Sequence, residues 1–464
     1  MVTDAVDNFV SFVPLGLILV CMLGVAIAEY SGFIGAAIRG AVSKVKSPVW
    51  LTFVLALAGV TGSVASDAIY VIIIPLGAAA FRVVGRSPIV GAMVAFAASS
   101  AGFNASLLLN ITDVLLAGIS TNAAQFVEED YVVSPLANYF FSMASSVVLA
   151  AIITAVTELF VVKYTRRTIP DELVNHEAAV FTMPQKSGEH GVVDAEPGDK
   201  DGKPHSDTGE LALADAEKRG LKIAGLTALV FMAAWFALLL IPGSPMRGEG
   251  DGILNSPLLE NIVVSIAAIF AAIGIAYGLS YGSIRNSSDV PKFMEKGLGT
   301  LTTMMVLFFA VSQFTAHFDW SNLGQWTAIR GSELLTRADL PPLVLFAAFV
   351  LMVALINLVI TPGSAQWALM APIVVPMLMY VGISPEVTQM LYRIGDSPTN
   401  IITPMSPYFA LALTFLQKYY KGAGVGTLMA LAIPYSIAMM LGWFLFFVLW
   451  YLAGIPLGPG APLR

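Results

Sequence analysis

Charge is what this sequence has least of. Only 12% of its 464 residues are Asp, Glu, Lys or Arg, 57% are hydrophobic, and the mean hydropathy is +0.79. Soluble domains carry about 25% charged and about 45–50% apolar residues, so a large soluble enzyme is excluded. Cysteine is nearly absent: Cys21 stands alone inside the apolar run from Leu15 to Ala28. It allows no disulfide framework and reads as a small packed hydrophobe. A basic footprint is missing as well, because the net charge is -7 and the pI about 5.2, which sets nucleic acid aside. The metalloprotease motif HExxH and the phosphate-cradling GxxxxGK[ST] do not occur, so energy for work would have to come from an ion gradient rather than from ATP. The N-terminus lacks the basic stretch and small-residue cleavage site of a secretory signal.

Long apolar segments take the place of charge. They lie at about 9–41, 49–84, 88–121, 135–162, 221–241, 258–282, 298–317, 342–382, 386–417 and 426–454. A spanning helix needs about 20 apolar residues to cross a hydrocarbon core of about 30 Å, so the class is a polytopic α-helical membrane protein. Two segments are interrupted halfway by turn residues, 49–84 at Gly59 and Thr61-Gly62-Ser63 and 342–382 at Thr361-Pro362-Gly363-Ser364. Both read as re-entrant hairpins. The segments 88–121 and 386–417 are broken at Ala101-Gly102-Phe103-Asn104 and at Gly395-Asp396-Ser397-Pro398-Thr399-Asn400 without length for two spans, and read as discontinuous helices.

The two halves repeat one order of signals. Gly62 precedes Pro75 and Gly363 precedes Pro376 by the same 13 positions; Ser87-Pro88 and Ser384-Pro385 follow; Asn104 lies 16 residues past Pro88 and Asn400 lies 15 past Pro385. Counting crossings makes the hairpins enter from opposite faces, which is an inverted repeat, the architecture of secondary transporters. The expected layout is a first repeat over 1–162, a polar loop over 163–220, connecting spans over 221–297 and a second repeat over 298–464. The loop collects 20 of the 55 charged residues and three of the four histidines, His176, His190 and His205, and reads as solvated chain. Short flanks on its side carry Lys44, Lys46, Arg82, Arg86, Arg285 and Lys292, whereas the opposite flanks carry mainly Glu128, Glu129, Asp130, Glu249 and Asp251. Lys and Arg accumulate on the cytoplasmic side, so the loop is expected in the cytoplasm. About eight spans are counted, which puts both termini outside and suggests one further span upstream of Met1.

In a chain this poor in charge, ionisable groups inside apolar segments stand out: Glu29, Asp67, Asp113, Arg393 and Asp396. Such groups are costly in a membrane and either pair with one another or serve transport. Asp113 and Asp396 flank helix breaks, where unwound carbonyls and neutral side-chain oxygens suit a monovalent cation. Asn104, Asn400, Ser63, Ser364, Ser397 and Thr399 are candidate ligands there, with Asp67 a further ion-binding candidate and Asn104 and Asn400 the leading pair for sodium; as caps of broken helices the neutral residues need bind nothing. Trp367, three residues past the Gly363-Ser364 turn, is either a packing residue or an aromatic wall of a substrate site.

The blocks Met22-Leu-Gly-Val-Ala-Ile-Ala-Glu-Tyr-Ser-Gly-Phe33, Ala65-Ser-Asp-Ala68, Ala101-Gly-Phe-Asn-Ala105 and Gly395-Asp-Ser-Pro-Thr-Asn-Ile-Ile-Thr-Pro404 together resemble the p-aminobenzoyl-glutamate transporter (AbgT) family along essentially the whole chain. The resemblance implies a bowl-shaped homodimer in the bacterial inner membrane, nine spans, two hairpins meeting in each protomer's core, and transport of folate-precursor compounds or efflux of sulfonamide antimetabolites. Sodium or the proton motive force would drive it, without a covalent cofactor. Carried over by position, the functional residues fall on Asp396 and Trp367, with Pro385 and Ser364 beside them and Asp113 for the first half. The alternatives are a sodium-coupled dicarboxylate symporter, a channel, and an intramembrane hydrolase, the last disfavoured because Ser364 has no nearby histidine partner.

Overall fold

The protein is described by a computed structural model covering residues 3–45, 47–65, 68–179, 213–248 and 256–461, and the regular structure of these residues is helical, apart from an isolated bridge between Gly458 and Ala461. Asp67, Lys46, His190, His205 and most of the polar loop lie outside the described residues.

The chain opens with α1 (Ala5–Val10), α2 (Val13–Tyr30) and α3 (Phe33–Val42). The apolar run at 9–41, expected as one crossing, is divided because Gly32 adopts φ +90°, a left-handed turn that glycine makes without a Cβ clash. Then come α4 (Pro48–Thr61), a 3-10 turn at Gly62–Ala65, and α5 (Ala68–Val83), filling the first expected hairpin. The first broken segment is α6 (Pro88–Ala101) and α7 (Ile111–Ala124), parted by residues 102–110.

The middle of the chain holds α8 (Tyr139–Val156), continued through a π-helical turn into α9 (Val162–Thr168), then α10 (Asp215–Leu240), α11 (Pro257–Glu260) and α12 (Ile262–Tyr281). α13 (Asp289–Thr300) and α14 (Thr302–Trp320) meet at a bend of 51°. α15 (Leu323–Ala338), which matches none of the apolar segments, buries Gly324 and Ala328 and exposes Trp326, Ile329 and Leu334. The second hairpin is α16 (Pro342–Asn357) and α17 (Gly363–Met379); the second broken segment is α18 (Pro385–Asp396), a 3-10 turn at Ser397–Thr399 and α19 (Pro407–Tyr419), followed by α20 (Val425–Leu452). Five described helices, α2, α8 with α9, α10, α12 and α20, are each long and apolar enough to cross a membrane, and the bent α13–α14 pair makes a sixth. The protein is a multi-pass membrane protein.

Local sequence explains the starts. Five Ser-Pro pairs, at 47–48, 87–88, 256–257, 384–385 and 406–407, open α4, α6, α11, α18 and α19. Proline's fixed φ suits the first helical position, where its missing N–H has no partner to lose. Depth of burial then sorts the helices. Every residue of α6 and of α18 is buried, so the two helices that lead into the breaks lie at the centre of the bundle, while α10 is largely exposed and faces the surroundings. Close approach in the centre rests on small residues. A Cβ added at Gly77 of α5 would stand 2.5 Å from the Gly91 carbonyl oxygen of α6, and one at Gly91 would stand 2.1 Å from that of Gly77.

Gly77→Val is therefore expected to overpack the α5–α6 crossing and cost about 1–3 kcal/mol, lowering the thermal midpoint in detergent. Gly225→Val, on α10 with open space around it, should leave that midpoint nearly unchanged.

Candidate functional site

The two helix breaks, almost 300 positions apart in the chain, face one another. Asn104, in the loop after α6, donates from Nδ2 to Asp396 Oδ2 at 2.7 Å, and its backbone N–H donates to Ser397 Oγ at 3.2 Å. Asn357, the last residue of α16, donates from its amide to the Asp396 carbonyl at 2.7 Å, Thr399 Oγ1 at 2.8 Å and Asn400 Oδ1 at 3.0 Å. These contacts hold the 3-10 turn that ends α18. They also bring Asn104, Asp396, Ser397, Thr399 and Asn400 into a single cluster.

Asp396 is 1% exposed. Its Oδ1 accepts from the Tyr392 hydroxyl at 3.3 Å, so its side-chain hydrogen-bond partners are neutral. The tip of the second hairpin leans on it: a Cβ at Gly363 would sit 3.1 Å and 3.2 Å from the two carboxylate oxygens, and the Tyr392 hydroxyl also donates to the Gly363 carbonyl. Trp367, fully buried one turn along α17, lies with its ring centroid 4.5 Å from that of Tyr392 and donates from Nε1 to Ser120 Oγ at 3.1 Å.

Asp113 has partners of its own and is linked to Asn104, and so to Asp396, through Arg393 Nη1, which also donates to the Asn104 carbonyl at 3.4 Å. The sequence Asn110-Ile-Thr-Asp113 forms a capping box at the start of α7: Asp113 N–H donates to Asn110 Oδ1 at 3.0 Å and Asn110 N–H to Asp113 Oδ2 at 2.9 Å. Oδ1 takes a charged donor, Arg393 Nη1 of α18, at 2.5 Å. Both carboxylate oxygens of Asp113 are thus engaged. Ser63, at the tip of the first hairpin, joins through Asn110, whose Nδ2 donates to Ser63 Oγ at 3.1 Å.

One expected site residue, Pro385, stands elsewhere, and another, Ser364, lies at the edge of the cluster. Pro385 opens α18 and Asp396 closes it, which at 1.5 Å per residue separates them by about 16 Å. Ser364 is partly exposed at the start of α17, next to Gly363. Several contributors escaped the sequence reading: Asn110, Ser120, Asn357, Tyr392 and Gln389. Asn357 had a signal, being the polar residue that ends an apolar run just before Thr361-Pro362-Gly363. So did Asn110, three residues before an acidic residue.

The model of the family described as "AbgT putative transporter family" matches residues 1–188 and 192–464. The chain belongs to the AbgT family. It is 33% identical over 459 residues to the p-aminobenzoyl-glutamate transport protein of Escherichia coli (strain K12), an alignment that covers 98% of this chain and 83% of that one. Among solved structures, this AbgT chain is similar to the Alcanivorax borkumensis YdaH transporter, with a TM-score of 0.85 and 38% identity over 98% of this chain and 89% of that one. It is also similar to Neisseria gonorrhoeae MtrF, described within a class of antimetabolite efflux pumps, with a TM-score of 0.86 and 39% identity over 99% of this chain and 86% of that one. The family and these relatives are transporters and not enzymes. In keeping with that, Gly278-Leu279-Ser280-Tyr281-Gly282 copies the letters of a hydrolase elbow only. Ser280 lies inside α12 and donates to the Ala276 carbonyl at 2.8 Å, without the strand-to-helix turn an elbow needs.

Removing one partner of a buried ion pair strands the other and costs about 3–5 kcal/mol. Arg393→Met should destabilise the AbgT chain by roughly that amount in detergent unfolding. Adding Asp113→Asn, which removes the stranded charge and keeps the cap, should return part of the loss.

Proposed function

We propose that this AbgT-family protein is an ion-coupled secondary transporter of p-aminobenzoyl-glutamate-like aromatic anions, sulfonamide antimetabolites included, working by alternating access around its two hairpins. One observation carries the reading: Asp396, a buried carboxylate with neutral side-chain partners, sits where the breaks of both halves and the tip of the second hairpin converge. It ends α18, and the C-terminal end of a helix carries partial negative charge that disfavours an anion by about 0.3–1 kcal/mol or more. A proton or a sodium ion joining Asp396 would relieve both the dipole and the buried charge. The oxygens of Asn400, Thr399, Ser397 and the α18 carbonyls are the hard neutral donors sodium takes, and Asn104 is the link to the first half.

The cargo is assigned by chemistry at the same place. Trp367 and Tyr392 offer aromatic faces beside the carboxylate, suited to an aminobenzoyl or sulfanilamide ring, and the start of α17 at Gly363-Ser364 offers backbone N–H groups to an anionic group. Trp367 and Tyr392 are buried, whereas Gly363 and Ser364 are partly exposed, so cargo reaches the aromatic faces only when the hairpins shift. The matching order of hairpin and broken helix in the two halves supports an inverted repeat, with the 163–220 loop on the Lys- and Arg-rich cytoplasmic face of the inner membrane and eight spans in this chain. A homodimer follows from the family resemblance.

Purified protein in liposomes should move p-aminobenzoyl-glutamate or sulfonamides when sodium and proton gradients are imposed separately, and one of the two should drive it. Competition by succinate instead of aminobenzoyl compounds would favour the dicarboxylate symporter. Asp396→Asn is expected to abolish gradient-driven flux while the protein keeps its elution volume and thermal midpoint; normal flux in this variant refutes the coupling role.

A further inference from the structure

The face of α18 that presents Arg393 and Asp396 also carries two polar residues to which the transport reading gives no task. Glu386, Gln389, Arg393 and Asp396 follow one another at steps of three, four and three, which places them on one side of a helix with 3.6 residues per turn. Ten positions at 1.5 Å set Glu386 about 15 Å from Asp396 along the axis, roughly half of a hydrocarbon core of about 30 Å. All four are buried, and each meets polar groups of the first half in turn. Glu386 accepts from the Tyr131 hydroxyl at 3.0 Å and 3.2 Å. Gln389 accepts from Asn138 Nδ2 at 2.5 Å and donates to Ser120 Oγ at 3.2 Å. Arg393 then pairs with Asp113, and Asp396 with Asn104.

Beside this row the acceptor Asn138 Oδ1, free to meet a cation, is buried without a hydrogen-bond partner, as is the donor Arg393 Nε, which a cation does not satisfy. Such groups are rare in folded proteins and cost about 1–3 kcal/mol each, so a row that only held helices together would be expected to satisfy them. The charges set the sign of what the row attracts. Along it stand three carboxylates, Glu386, Asp113 and Asp396, and one guanidinium, Arg393, which is paired with Asp113, and the excess of negative charge draws a cation.

We propose that the seam between α7 and α18 is the route by which the coupling cation travels between Asp396 and the membrane face bearing Tyr131, with Glu386 and Tyr131 as its outer gate. This rests on the reading of Asp396 as the coupling carboxylate. Glu386 lies in the first turn of α18, where the helix dipole favours a carboxylate, and Asp396 lies at the opposite end. A cation therefore passes from a site that holds negative charge easily to one that holds it at a cost, and is bound more firmly at the second.

The test uses the full chain in liposomes, in a Cys21→Ala background, with Gln389→Cys, and Ser120→Cys should that variant not fold. Membrane-impermeant cationic and anionic thiol reagents are compared under an imposed cation gradient. The cationic reagent is expected to react about tenfold faster, equivalent to about 1.4 kcal/mol, and Glu386→Gln to erase the preference. Equal rates, or no reaction at either position, overturn the route. In flux measurements Glu386→Gln should raise the half-maximal concentration of sodium or of protons, whichever drives transport, about tenfold, with partial recovery in Glu386→Asp; an unchanged value removes the gate. Labelling requires no cargo, so a failure of flux for every aromatic anion would count against the cargo reading and leave the route to be judged by the thiol reaction.

Discussion

A charge withdrawn from water must find its counter-charge within the protein, and here that requirement holds the two halves in register. Arg393 belongs to α18 and Asp113 to α7, 280 positions away, and their contact at 2.5 Å joins the break of one half to the break of the other. Neither could stay buried and ionised alone. The capping box makes the arrangement stricter: the carboxylate that neutralises Arg393 also caps α7, so the start of that helix, the pair and the position of α18 are fixed together.

The same logic applies to the backbone. A helix interrupted at membrane depth exposes N–H and C=O groups that lipid cannot satisfy. Each break is completed by side chains from another element: the Asn104 N–H by Ser397, and the Asp396 carbonyl by Asn357. Close approach makes these contacts reachable. Gly395 packs where a Cβ would stand 2.7 Å from the Val350 carbonyl oxygen of α16, and Gly363 leaves room for the carboxylate itself. Because the hairpin tip meets Asp396 through backbone and through Tyr392, displacement of α17 alters the surroundings of that carboxylate directly.

Much of the plan was legible in one dimension. Turn residues inside apolar runs marked where α4 and α16 end, and Gly102-Phe103-Asn104 and Asp396-Ser397-Pro398 marked both breaks, because Gly, Pro, Asn and Asp interrupt helices through local chemistry. Scarce charge pointed to Asp113, Arg393 and Asp396 for the same reason. Elements governed by surface placement were less visible: α15 is amphipathic and carries no long apolar run, and Gly32 divided an apolar segment that composition alone would pass as continuous.

What the sequence by itself determined is the membrane class, the places where its apolar runs are interrupted, and a short roster of polar residues inside those runs. All of these depend on residue type and on spacing along the chain. Only the tertiary structure decided who pairs with whom: that Asp113 answers Arg393 while Asp396 is left to neutral donors, that Trp367 meets Tyr392, and that Pro385 lies a whole helix from the carboxylate it was grouped with. Partner choice depends on which faces of α7, α17 and α18 come together, and one sequence carries no record of distances between residues far apart along the chain.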